Sequence, residues 1–135
     1  MSSMDDLPIL LGVDAVTIPV PDLDAGLAFY QGRLGHRLLW RNDDVGQAGL
    51  ALAAGGTEVV LTTTAPYGPT WLVGSVESAL DAIVMAGGRS LGGVADVPVG
   101  RLAVAEDVFG NRLVLLDTSK GRYVTDESGR VTGVE

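Results

Sequence analysis

Residues 55–63 read GGTEVVLTT and residues 109–117 read FGNRLVLLD. In both, a glycine, a small polar residue and a charged residue precede an apolar run that closes on a polar side chain. The likeness extends upstream. Sliding the chain by 53 positions places Val20 on Val73, Asp22 on Ser75, Leu23 on Val76 and Leu27 on Leu80. Sliding it by 54 places Glu58 on Arg112, Val60 on Val114 and Leu61 on Leu115. A repeat of this length restricts the chain to two copies of one supersecondary unit.

The first copy opens with AVTIPV, a β-branched run stopped by Pro19 and Pro21. Asp22 stands where a helix N-cap is needed, and Leu23, Leu27 and Tyr30 follow at i, i+4 and i+7, one helical face. This pattern places Phe29 and Tyr30 in the core, and LGH ends the helix. RLLWR, GLALAA and TEVVLTTT then read as strands, giving β-α-β-β-β over residues 13–64. From Thr70 the order recurs: the strand TWLVG, a cap at Ser75, a helix carrying Val76, Leu80 and Ile83, then strand-like GRLAVAED and NRLVLLD. Trp71 alternates away from Thr70 and Leu72, so it is expected beneath a helix. The expected organisation is an N-terminal extension (1–12), two modules (13–64 and 65–118), and a C-terminal hairpin or tail (119–135) that alternates about DESG. Two such modules make an α+β protein.

Composition removes several functions. A net charge of −8 lacks the basic stripe that nucleic acid requires. With no cysteine there is no disulfide frame, thiolate metal site or cysteine nucleophile, and the single histidine, His36, cannot serve a Ser-His-Asp set. The stretch MSSMDDLPILLG has no positive n-region, and its apolar run is too short to span a membrane. A cytoplasmic protein with neither nucleic-acid nor membrane partners is expected.

VTIPVPDLDAGLAFYQGRLG, LVGSVESALDAIVMAGG and EDVFGNRLVLLD together resemble the vicinal oxygen chelate superfamily, the glyoxalase, bleomycin-resistance and extradiol-dioxygenase group. The resemblance spans residues 13–118. It implies two βαβββ modules forming a cupped mixed sheet around a cavity, within a homodimer. It also implies a divalent metal held by His, Glu or Gln from the first and fourth strands of each module. The matching positions here are Ala15, Val60, Gly68 and Val114, none of which carries a usable donor. No metal and no other cofactor is therefore expected.

If Val60 faces the cavity, strand alternation brings Glu58 and Thr62 to the same side, and Arg112 and Leu116 to the side of Val114. Three readings of Glu58 and Arg112 stay open: an ion pair with each other, solvated strand ends, or contacts to a ligand. Trp40 is a candidate stacking platform, with alternation leaving its face undecided. Tyr67, in the linker APYGPT, is a candidate cap, and Arg101 a second anion contact at the rim. His36 reads as a structural turn residue. The candidate ligand set is thus Trp40, Glu58, Thr62, Tyr67, Arg101 and Arg112.

The leading expectation is a metal-independent binding protein of the bleomycin-resistance type, sequestering a largely apolar small molecule; the negative net charge favours a cationic one. A second is a metal-free isomerase, epimerase or lyase with Glu58 as general base. A third is a conventional metal-dependent glyoxalase or dioxygenase.

Overall fold

The computed structural model describes residues 7–135. The first six residues of the expected N-terminal extension lie outside the described residues. Contacts divide the chain into two compact units, one formed by Asp14–Pro69 with Tyr123–Glu135, the other by Thr70–Arg122 with the described residues 7–13.

In the first unit, β1 (Gly12–Pro19, its first two residues belonging to the other unit) leads into α1 (Leu23–Leu27), followed by β2 (Leu38–Asn42), β3 (Gln47–Ala51) and β4 (Glu58–Thr62). The strand order is β2-β3-β4-β1. β1 and β4 run parallel and the other neighbours antiparallel. The Asp22 carboxylate caps α1 by accepting from Ala25 N at 2.7 Å. Leu23 and Leu27 of α1 pack on Ala48, Leu50 and Leu61, with Ile18, Val20, Tyr30, Leu38 and Val59 around them. Gly26 lets the helix lie close: a Cβ there would stand 2.9 Å from Val20 Cγ1 and 3.1 Å from Leu61 Cδ1.

After Leu27 the helix widens into a π-helical turn, Ala28–Arg33. The exposure of Phe29 corrects the expectation that it lies in the core. Tyr30 does pack against the core cluster, but Phe29 is 52% exposed and meets only the edge of the Tyr30 ring among aromatic partners, at 5.0 Å. Phe29 lies two residues beyond Leu27, about 200° round a regular helix, so it falls off the face that Leu23, Leu27 and Tyr30 share.

The second unit contains β5 (Gly68–Leu72, mostly in this unit), α2 (Val76–Met85), β6 (Arg89–Ser90), β7 (Ala95–Val97), β8 (Gly100–Glu106) and β9 (Arg112–Asp117). Its order is β5-β9-β8-β6, with β7 also on β8. Ser75 caps α2 through Ser78 N at 3.3 Å. Val73, Val76, Ala79, Ala103, Ala105 and Leu115 form the core, and Trp71 packs against it on the helix side as alternation requires.

The repeat is visible as strand register. Thr17 lies opposite Val60 on the parallel pair β1–β4, and Thr70 opposite Val114 on β5–β9. These are the positions that shifts of 53 and 54 superimpose. The tail forms a hairpin, β10 (Tyr123–Thr125) with β11 (Val131–Val134), and it belongs to the first unit.

Candidate functional site

Face assignment in the first unit follows from the core. Val59 and Leu61 turn toward α1, so Glu58, Val60 and Thr62 occupy the opposite face of β4. Ala15 and Thr17 of β1 lie in register with Glu58 and Val60, and share that face. On β3, Ala48 and Leu50 go to the core, leaving Gln47 and Gly49 on the Glu58 side.

Trp40 lies on this face too. Its indole Nε1 donates to Glu58 Oε1 at 2.7 Å. The bond spans two strands because Gly49, on β3 between them, has no side chain: a Cβ there would collide with Trp40 Nε1 and stand 2.7 Å from Glu58 Oε1. Indole N–H is a donor only and an ionised carboxylate an acceptor only, so the pair fixes both side chains. The bulge in β2 between Leu38 and Trp40 aims the indole: Leu38 packs with the core while Trp40 serves the other face. Tyr123 of the tail hairpin contacts the indole, with ring centroids 4.7 Å apart and planes at 49°.

Thr62 shares the face but is fully buried. Its hydroxyl accepts from Thr64 N and Ala65 N, both at 3.2 Å, and from Gln47 Nε2 at 3.3 Å. It anchors the linker that follows β4. Thr17 does the same from β1, its hydroxyl within hydrogen-bond distance of Pro66 O (2.7 Å) and Gly68 O (3.0 Å). Tyr67 therefore projects from a tethered turn and is 71% exposed. His36 stands at the strand ends, Nδ1 3.0 Å from Ala51 O.

The other two candidates belong to the second unit. Arg112 is exposed at the start of β9, opposite Glu106, and shares a face with Val114 and Leu116. Arg101 takes the reverse face, because it alternates with Ala103 and Ala105, which pack under α2. Its guanidinium pairs with Glu77 of that helix and lies 3.5 Å from Asp96. Arg101 and Arg112 thus lie on opposite faces of their sheet. Sequence reasoning missed Gly49, Tyr123 and Asn42. Of these, only the gap a glycine leaves on an alternating strand was open to reading beforehand.

The metal that the resemblance implies can be tested against the donors. Ala15 and Val60 are alkyl, Gly68 has no side chain, and Val114 faces Thr70 across β5–β9. Among the described residues no three carboxylate or imidazole groups converge. The residues at these positions do not fit a divalent cation, which needs several N or O ligands.

A family model for the glyoxalase/bleomycin resistance protein/dioxygenase superfamily matches residues 12–115. The chain belongs to that superfamily. Solved structures agree on the glyoxalase-superfamily fold. Methylmalonyl-CoA epimerase from Mycobacterium tuberculosis aligns with TM-score 0.64 at 20% identity, covering 87% of this chain and 92% of that one. A methylmalonyl-CoA epimerase in complex with methylmalonyl-CoA and NH4+ gives 0.62 at 20% identity, covering 82% and 96%. A hypothetical protein from Bacillus halodurans C-125 gives 0.60 at 18%, covering 78% and 92%. A comparison with curated proteins returned no match. No helix among the described residues of this superfamily member is long and apolar enough to cross a membrane.

Proposed function

We propose that this chain is a metal-independent small-molecule-binding protein that sequesters a largely apolar, cationic ligand on the Trp40 face of the first unit. The observation that carries this reading is the Trp40–Glu58 hydrogen bond over Gly49. It joins the best cation–π ring to a carboxylate on a face shared with Ala15, Thr17, Val60, Thr62, Gln47 and Gly49. Donating its N–H to an anion polarises the indole and makes its face more attractive to positive charge. Thr62 and Tyr67 frame the linker end of the surface. The protein acts in the cytoplasm as a homodimer in this reading.

Thermal stabilisation by proflavine, a planar cation, tests it, with mass spectrometry of the recovered dye. Stabilisation that Trp40→Ala abolishes, with the dye unchanged, supports sequestration. Equal stabilisation of wild type and Trp40→Ala rejects it.

The second reading is a metal-free epimerase with Glu58 as base, favoured by the fixed orientation that Trp40 gives the carboxylate and by the epimerases of like fold. Solvent-deuterium exchange into methylmalonyl-CoA, lost in Glu58→Gln, would replace sequestration with catalysis. Absence of exchange in the wild type rejects this second reading.

A further inference from the structure

We propose that the C-terminal hairpin is a displaceable strap: Tyr123 occupies the aromatic subsite on Trp40, and an aromatic ligand enters by taking its place. The inference rests on the reading of the Trp40 face as the binding surface, and adds how access to it is governed.

The hairpin is built to move as a piece. β10 and β11 pair Tyr123 with Val134 and Val124 with Gly133. The turn is closed by Asp126, whose carboxylate accepts from Ser128 N at 2.8 Å and Arg130 N at 3.1 Å. All of these bonds are internal to the tail and survive if it swings away.

What ties the hairpin to β2 is slight by comparison. Arg41 N donates to Gly129 O at 2.8 Å, and Arg41 and Arg130 form a single parallel bridge. Arg130 pairs with Asp43 at side-chain exposures of 55% and 47%, where an ion pair contributes little. Gly129 lies close against Leu38, Asn42 Nδ2 reaches Tyr123 OH only at 3.4 Å, and Tyr123 pairs with the Trp40 ring. No residue from 123 to 135 is buried. An element with few buried apolar contacts opens well before the sheet it covers.

The Trp40 ring is therefore already engaged at its Nε1 edge by Glu58 and by the tilted ring of Tyr123. A planar ligand offers the indole the same kind of contact as the phenol ring, and so competes for the same place. The hairpin then sets an affinity threshold: weakly stacking molecules fail to displace it.

The experiment is calorimetric titration of the full chain with proflavine, in wild type, Tyr123→Ala and Trp40→Ala. Tyr123→Ala is expected to bind about two- to twelve-fold more tightly, the worth of one aromatic pair no longer to be displaced. Hydrogen exchange needs no variant: dye should accelerate the amide of Arg41, which donates to Gly129 O, in the wild type, leaving Leu50 and Leu61 unchanged. Equal or weaker binding by Tyr123→Ala, or unchanged or slower exchange at Arg41, overturns the strap. If Trp40→Ala loses the dye in that case, the binding face stands without it. If Trp40→Ala binds as wild type, or no protein takes the dye, the face and the strap fall together.

Discussion

The carboxylate of Asp117, at the end of β9, accepts the first backbone N–H of α2, that of Val76, at 3.0 Å. It also accepts from Arg101 N at 3.1 Å and Ser119 N at 3.3 Å, while the residue is only 3% exposed. One buried acid thus joins a strand end, a helix start and a neighbouring strand. Asp117→Ala should cost about 2–4 kcal/mol in urea unfolding, because it strands buried N–H groups.

The same carboxylate gives a pH dependence. Burial pushes its pKa up, but hydrogen bonds from Ser119, Val76 and Arg101 outweigh that and hold it below the ordinary value. A folded-state pKa below the unfolded one contributes stability that is fully present above the unfolded value, about 3.9. That contribution is lost as pH falls through the folded value. Acid unfolding curves of Asp117→Asn should be flatter than wild type below about pH 4.

Gly49→Ala tests the Trp40–Glu58 pair without touching either residue. The new methyl group would occupy the space in which indole nitrogen and carboxylate meet. The bond should break, proflavine affinity should fall, and stability should drop by about 1–3 kcal/mol from overpacking. Trp40 emission in a Trp71→Phe background reports the change in surroundings.

Gly26→Ala sets two effects against each other. Alanine gains about 1 kcal/mol in helix propensity. Its Cβ, however, would lie 2.9 Å from Val20 Cγ1, where overpacking costs about 1–3 kcal/mol. Net destabilisation is expected in thermal melts, and Val20→Ala in the same chain should recover part of it.

Leu50→Ala and Met85→Ala mark the extremes of burial. Leu50 is 0% exposed between α1 and the sheet and should cost about 2–5 kcal/mol in chemical denaturation. Met85 is 89% exposed, and its loss should stay within about 0.5 kcal/mol.

Much of this architecture was legible in the chain because repeats and alternation are local. Asp22 and Ser75 cap their helices as their positions require. Thr17–Val60 and Thr70–Val114 sit opposite each other at the spacing the repeat dictates. What was hidden depends on departures from ideal period. The bulge before Trp40 decided which face the indole serves. Arg101 alternates with Ala103, and counting from that residue leads to α2. The contact between Tyr123 and Trp40 joins residues 83 positions apart (123 − 40), beyond any local pattern.

The two units do not correspond to the two halves of the chain. Leu11, from the N-terminal half, donates its amide to Leu72 O at 2.8 Å inside the second unit. The tail hairpin, from the C-terminal half, belongs to the first. A protease that nicks the exposed turn at Tyr67 would therefore not liberate two independent pieces. Each fragment would carry a segment that completes the other's unit, so the cut protein should run as a single noncovalent species. Neither fragment expressed alone should fold until its counterpart is supplied.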